Sequence, residues 1–178
     1  MTRTLPINIR ENDFFINGAW IKRGNRECLK RVSPGHGVVV SSVTLCTATD
    51  VDSAVSAARQ AFEKVWCETP GAERGSILIK AARGIRDRLD EMAYWETLET
   101  GKPISQSKAE ICAAADHYEA AAGMARVVSG QTHNTYGEGM IGLVTKQPIG
   151  VVGLITPWNF PFIVLAERLP FILAAGCT

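Results

Sequence analysis

The residues of this chain that could do chemistry are one asparagine in an unusual setting, five cysteines and three histidines. Asn159 stands in Gly150–Phe162, GVVGLITPWNFPF, where an uncharged apolar run meets two prolines and large aromatic residues. The side-chain amide of an asparagine can donate hydrogen bonds to an oxygen atom. Between a predicted strand and a predicted helix, however, an asparagine is typical of an N-cap, and the residues by themselves favour that interpretation.

The cysteines and histidines do not form a recognisable site. The five cysteines are widely spaced, odd in number and without a CxxC pair or a Cys/His cluster: Cys28, Cys46, Cys67, Cys112 and Cys177. This spacing argues against a disulfide framework and against a zinc site. We therefore expect buried, reduced thiols that pack as small apolar side chains, and no metal site. His36, His117 and His133 are equally scattered.

Composition narrows the class of protein. Hydrophobic residues make up 46% of the 178 residues and charged residues 21%, which is typical of a globular chain and not of a disordered one. The net charge of +1 argues against a nucleic-acid partner, because protein surfaces that bind nucleic acids are usually strongly basic. No apolar run reaches 18 residues, and the first residues lack an apolar signal segment, so we expect a cytoplasmic protein without a membrane partner.

The first 150 residues are predicted to be rich in helix. Asn17-Gly18 between apolar arms indicates a hairpin, and VVVSSVTLC indicates a strand with Val39, Val43 and Leu45 on one face. Apolar spacing predicts helices at about 50–66, 70–89, 90–100 and 103–129.

Local signals mark the helix ends. We expect Thr49 with Asp52 to form the first capping box, Thr69 to cap the second helix and Gly101 to end the third. The second helix should bury Ile77, Ala81, Ile85 and Leu89, and the fourth should bury Ile104, Ile111, Ala115, Tyr118, Ala122, Ala125 and Val128.

The last third of the chain changes character. MIGLVTKQ at 140–147 alternates and predicts a strand. GVVGLIT at 150–156 is β-branched and apolar on both faces, which predicts a central strand of a covered parallel sheet. FPFIVLAERLPFILAAG at 160–176 predicts a helix that Pro170 bends or breaks.

Several motifs, in order, resemble the NAD(P)-dependent aldehyde dehydrogenase superfamily. They are FINGAW at 15–20, ETLETGKP at 96–103, QPIGVVG at 147–153, ITPWNFP at 155–161 and LAAGCT at 173–178. The resemblance implies an α/β fold in which a helix-rich N-terminal region leads into the first strand and helix of an incomplete Rossmann-type parallel sheet. It implies one region at 1–150, with the hairpin and the start of the oligomerisation strands, and another at 151–178, a truncated first β-α segment of the dinucleotide-binding domain.

The resemblance also implies roles for individual residues. Asn159 would donate a hydrogen bond to the oxyanion that forms when a cysteine thiolate attacks an aldehyde. Ile155, Thr156, Pro157 and Trp158 would line the nicotinamide-ribose side of NAD or NADP, and Phe160 and Ile163 would face the substrate tunnel. Glu96 and Glu99 are interpreted as solvated or salt-bridged, not as catalytic groups.

The chain departs from the family pattern in what it does not contain. The family's nucleophile lies in a Gly-Gln-x-Cys motif and its general base in a Glu-Leu-Gly-Gly motif, and neither motif occurs here. Cys177 in AAGCT has a different context and should not be given the nucleophile's role. We therefore expect an N-terminal portion of an aldehyde-oxidising homo-oligomer that is inactive alone. The alternative is a non-catalytic fragment or interaction module that assembles with full-length subunits.

Overall fold

Residues 9–178 are described by a computed structural model in which short strands and helices divide between two compact units. The first unit contains the described residues up to Ala58 and residues Arg88–Ile111, and the second contains Arg59–Asp87 and Cys112–Thr178. The predicted division at 150/151 is a different kind of boundary and stays a prediction. Among the described residues, no helix combines the length and apolarity that crossing a bilayer requires.

The helices follow the predicted pattern closely. Their bounds are α1 (Ala48–Lys64), α2 (Gly71–Asp87), α3 (Leu89–Thr100), α4 (Ile104–Met124), α5 (Pro161–Ala166) and α6 (Leu169–Ala174), with a 3₁₀ turn at Trp66–Glu68. The fourth helix ends about a turn earlier than expected. The predicted break at Pro170 is confirmed, since this residue lies in the first turn of α6.

The strands are short. They are β1 (Arg10–Asn12), β2 (Phe14–Ile16), β3 (Ala19–Ile21), β4 (Cys28–Val32), β5 (Val39–Thr44), β6 (Gln131–His133) and β7 (Gly142–Val144). In the first unit, β5 lies between β1, which is parallel to it, and β4, which is antiparallel. The Asn17-Gly18 hairpin is confirmed, because β2 and β3 pair antiparallel and both turn residues have positive φ, 52° and 78°.

The predicted face of β5 is not the buried one. Val43 and Leu45 are 38% and 43% exposed, whereas Val40, Ser41, Ser42 and Thr44 are buried. Ser41 tolerates burial because its hydroxyl donates to the Glu99 carboxylate on α3 at 2.5 Å. Polar residues of β5 therefore contribute to the interior of this unit.

Two predicted helix caps are wrong. The capping box of α1 is Thr47 with Asp50: the Thr47 N–H donates to Asp50 Oδ2 at 2.9 Å, and the Asp50 N–H donates to Thr47 Oγ1 at 3.3 Å. The same residue spacing occurs at Thr49 and Asp52, two positions later. Thr69 does not cap α2, since its hydroxyl donates back to the Val65 carbonyl at 2.9 Å. The end of α3 at Gly101 is as predicted, with φ 79°.

On α2 the predicted burial is confirmed at Ile85, but Leu78 and Ala82 are buried in place of their predicted neighbours Ile77 and Ala81, and Ile77 is 48% exposed. For α4 the prediction is confirmed at five positions and wrong at both ends, because Ile104 and Val128 are exposed. The five buried residues are Ile111, Ala115, Tyr118, Ala122 and Ala125. The two helices run close together where Gly75 meets the Ala122 backbone, since a Cβ at Gly75 would lie 2.7 Å from the Ala122 oxygen.

The expected central strand at 150–156 is the main correction to the fold. No regular strand forms there in the described part of the chain. Instead the Thr178 N–H donates to the Gly150 carbonyl at 3.1 Å, and the Val152 N–H donates to the Thr178 carbonyl at 2.8 Å. These two bonds have the pattern of a single parallel pair between residues 151 and 178. Among the described residues, the backbone hydrogen bonds of this parallel pairing reach as far as Val152.

Candidate functional site

The candidate site is the segment from Gly150 to Ile163, which belongs to the second unit. Gly150 starts it with a φ of 110°, a conformation that favours glycine. A Cβ at this position would also lie 3.1 Å from Arg59 Nη1. Beyond Gly150 the burial alternates, with Gly153, Ile155 and Pro157 exposed and the residues between them half-buried, as expected of an extended chain.

Two long side chains hold the return of the chain after α6. The Trp66 indole N–H donates to the Leu173 carbonyl at 3.2 Å, and Arg74 Nε donates to the Ala174 carbonyl at 3.1 Å. These bonds satisfy carbonyl groups at the end of a helix. Gly176, with φ 94°, then turns the chain so that Thr178 reaches Gly150 and Val152.

Sequence reasoning did not identify Trp66 or Arg74 as part of this arrangement. Their partners are 107 and 100 residues away. No local periodicity connects residues at such separations, so only the packed structure reveals this support for the segment.

Asn159 does not cap the following helix. The N-cap of α5 is Phe160, no side-chain hydrogen bond caps the helix, and Pro161 opens its first turn. Asn159 is exposed, and its amide forms no hydrogen bond with the described residues. The interpretation of Asn159 as a helix cap is therefore wrong, and the amide is free to donate to a ligand.

Large apolar side chains surround this amide along the chain. Ile155 is 96% exposed and Trp158 is 83% exposed, which is unusual for residues of this size. Thr156 is half-buried and Pro157 exposed, while Phe160 is exposed and Ile163 on α5 is half-buried. The arrangement presents one polar donor amid apolar surface, a combination typical of small-molecule sites.

The charged side chains of the second motif, ETLETGKP at 96–103, already have partners within the first unit. Lys102 Nζ lies 2.8 Å from Glu96 Oε1 and 2.5 Å from Glu110 Oε2, with all three side chains about nine-tenths buried or more. Gln106 donates to Glu110 at 2.8 Å, and the Thr97 and Ser107 hydroxyls are 2.8 Å apart. Glu96 is thus salt-bridged, in agreement with the interpretation, whereas Glu99 accepts a hydrogen bond from the Ser41 hydroxyl.

Burial and charge shift the pKa values of this triad in different directions. Burial raises the pKa of Glu96 above its usual value, and the neighbouring Glu110 carboxylate adds to this effect. For Glu110, burial alone would raise the pKa, but hydrogen bonds from Lys102, Glu96 and Gln106 outweigh it and the pKa is lowered. The pKa of Lys102 is raised, since its bonds to both carboxylates outweigh its burial.

The cysteines differ from the expectation of burial. Cys177 is buried, Cys28, Cys67 and Cys112 are half-buried, and Cys46 is exposed. All five are free thiols. Within residues 9–178, no group of three or more His, Cys, Asp or Glu side chains is arranged to hold a metal ion.

Comparison with known proteins places these features in a family. The model of the aldehyde dehydrogenase family matches residues 20–178. The chain is 37% identical, over 97% of its length, to aminoaldehyde dehydrogenase 2 of Zea mays, and 36% identical, also over 97%, to betaine aldehyde dehydrogenase 1 of Oryza sativa subsp. japonica. In both cases it spans 36% of the relative's length.

Solved structures show the same likeness. The NAD-dependent aldehyde dehydrogenase from Sinorhizobium meliloti superposes with a TM-score of 0.94 at 43% identity, covering 100% of this chain and 36% of that one. An NADP-dependent enzyme of E. coli superposes with a TM-score of 0.90 at 34% identity, covering 96% and 35%. The α/β fold expected from the motifs is therefore confirmed.

Proposed function

Because this chain belongs to the aldehyde dehydrogenase family, we propose that it forms the N-terminal part of an NAD(P)-dependent enzyme that oxidises an aldehyde to a carboxylic acid. The observation that carries the proposal is the exposed Asn159 amide, which neither caps α5 nor bonds to any described residue. A donor left unpaired in this way can be reserved for an oxygen that becomes charged during the reaction.

The proposed role of Asn159 follows from the chemistry of aldehyde oxidation. A cysteine thiolate from outside residues 1–178 adds to the carbonyl carbon, and the carbonyl oxygen becomes an oxyanion. The Asn159 amide donates a hydrogen bond to this oxygen. Pro157 and Pro161 restrict the backbone on both sides, so the donor needs little reorganisation to reach its position.

The residues before Asn159 fit a nicotinamide cofactor. Ile155 and Trp158 offer exposed apolar surface against which the nicotinamide-ribose group can pack. The segment also follows the parallel pair of residues 151 and 178 on its carboxyl side, and α/β proteins bind nucleotides beyond the carboxyl ends of parallel strands. We assign Ile155, Thr156, Pro157 and Trp158 to the nicotinamide-ribose side, and Phe160 and Ile163 to the aldehyde's path. When bound, NAD or NADP would accept the hydride that leaves the reacting carbon.

The proposal extends to the oligomeric state and the location of the protein. We propose a homo-oligomer, supported by the short two-stranded β6–β7 pair, where Leu143 is 73% exposed, because an exposed strand edge is a template for pairing with another chain. We also propose a cytoplasmic location, which the five free thiols support, because reduced cysteines persist in reducing compartments.

A chimeric enzyme tests the role of Asn159. Residues 1–178 would replace the aligned segment of the Sinorhizobium meliloti enzyme, which is 43% identical over this length. In an active chimera, Asn159→Ala should lower kcat by roughly 10²–10³-fold, with the Kd for NAD(P) nearly unchanged, because only the oxyanion loses a donor.

The matched control is Asn134→Ala, which removes an exposed amide from a loop of the same unit. That variant should keep its kcat. If Asn159→Ala turned over aldehyde at a near-normal rate, the proposed oxyanion role would be wrong.

A further inference from the structure

A groove unrelated to the Asn159 segment runs along α2 and the later half of α4, within the second unit. Its volume is about 460 Å³. Small residues form its floor. Gly75 on α2 lies against the Ala122 backbone on α4, and Gly123 follows Ala122. The longer side chains of the lining are the apolar Ile79 and the charged Lys80, Arg83, Glu119 and Arg126.

The groove is lined by three cationic side chains. Lys80 and Arg83 lie about one turn apart on α2, and Arg126 follows the end of α4. All three are exposed, and none forms an ion pair with another described residue. The neighbouring Arg86 shows the contrasting case, since it bonds Asp116 at 2.5 Å and Glu119 at 3.2 Å.

The electrostatic balance of the groove is distinctly positive. Glu119 is the one carboxylate in the lining, and it is already engaged by Arg86. Three cations and one carboxylate give the lining a net charge of +2, whereas the whole chain has +1. Three cations without an ion-pair partner among the described residues therefore line one groove.

We propose that this groove binds a small oxyanion with two or more negative charges, such as a phosphate ester or a polycarboxylate. Arginine presents a planar fork of N–H donors that matches phosphate and carboxylate oxygens, and lysine adds a point charge. A volume near 460 Å³ lies within the range of about 300–1,000 Å³ that is usual for small-molecule sites. The site is separate in sequence from the segment assigned to the aldehyde and the nicotinamide.

Isothermal titration of the full 178-residue chain tests the proposal. Inorganic pyrophosphate and citrate serve as separate probes at low ionic strength, because exposed charges are screened by salt. The two arms distinguish a phosphate ligand from a carboxylate ligand, and sodium chloride of equal ionic strength controls for general screening. We expect saturable binding of at least one probe, with one site per chain.

Substitutions then locate the binding site. Lys80→Gln with Arg83→Gln should weaken binding of the probe by about tenfold or more, the effect expected when charge-assisted hydrogen bonds are lost. Arg126→Gln tests the other wall independently, should the double variant fold poorly. Glu119→Gln should tighten binding, since it removes the one negative charge of the lining.

The charge-matched control is Lys30→Gln with Lys64→Gln, which removes two exposed lysines outside the groove. It should bind like the unaltered chain. The proposal is overturned if neither probe binds at millimolar concentration, or if the control loses as much affinity as the groove variants.

Discussion

The two motif-bearing segments, ETLETGKP at 96–103 and PWNFP at 157–161, differ in whether their polar side chains have partners within the chain. In the first, the Lys102 ammonium is buried and shared between the Glu96 and Glu110 carboxylates. In the second, the Asn159 amide is exposed and has no partner among the described residues, beside a largely exposed Trp158. A motif whose polar groups are paired within the chain supports the fold, whereas a motif that leaves them unpaired is suited to a ligand.

The largest expected effect concerns activity of the chain alone. We predict that residues 1–178 do not oxidise aldehydes, because no cysteine here has the context of the family's nucleophile and positioning cannot replace a missing thiolate. Absorbance of NAD(P)H would be followed with a panel of aldehydes, with the active chimera as positive control. Steady aldehyde-dependent reduction by a preparation free of other dehydrogenases would contradict the prediction.

Next in size is the effect of breaking the buried triad. Lys102→Met should lower the free energy of unfolding by about 3–5 kcal/mol, because two buried carboxylates would lose their shared cation. Urea unfolding followed by circular dichroism measures this change.

Lys108→Met is the matched control, since Lys108 pairs with Asp90 at 2.7 Å on the surface. Surface pairs contribute about 0–1 kcal/mol. Equal losses in the two variants would mean that burial does not distinguish the triad from a surface pair.

The pH dependence of the free energy of unfolding should distinguish the two carboxylates of the triad. Glu96 has a raised pKa in the folded chain, so between its ordinary value of 4.5 and that raised value the folded state binds more protons than the unfolded state. The contribution of Glu96 to stability should therefore fall as pH rises through this window. Glu110, whose pKa is lowered, should act in the opposite sense below pH 4.5, where its contribution is lost as pH falls.

Glu96→Gln is the variant that tests this assignment. In this variant the fall in stability above pH 4.5 should disappear, while the loss of stability below pH 4.5, assigned to Glu110, should remain. Urea unfolding from pH 3 to pH 8 would measure both limbs, and an unchanged decline in Glu96→Gln would place the raised pKa on another group.

The smallest expected effect is that of Asn159→Ala on stability. Because the amide is exposed and unbonded, its loss should change the free energy of unfolding of the chain by no more than about 0.5 kcal/mol. The same substitution is expected to cost the chimera most of its turnover. A loss of several kcal/mol in urea unfolding would show that Asn159 has a structural partner and would weaken the comparison.

Much of the helical architecture was predictable because its signals are local. The Asn17-Gly18 hairpin, the end of α3 at Gly101 and the break at Pro170 depend on backbone preferences of single residues or pairs. The order of the motifs likewise identified the family, which the match over residues 20–178 confirms. The roles of Asn159 and its neighbours stay predictions, since they concern a ligand.

The sequence alone left equivalent local choices undecided. Both Thr47/Asp50 and Thr49/Asp52 have the spacing of a capping box, and the structure uses the first, where Asp50 also bonds Arg26 at 3.1 Å. On α2, two neighbouring apolar stripes were possible, and the one containing Leu78 is buried. Local patterns of similar quality are thus distinguished only by contacts and burial in the folded chain.

By itself, the sequence determined that the helices form, that α3 ends at Gly101 and which family the chain belongs to, since these follow from side-chain chemistry within a few residues. Only the tertiary structure decided which polar groups find partners. Trp66 and Arg74 reach carbonyls about a hundred residues away, Thr178 pairs with the segment at Gly150, and Lys102 closes the buried triad with Glu110. Hydrogen bonds and ion pairs require approach to within a few ångströms, and that proximity is a property of the folded chain.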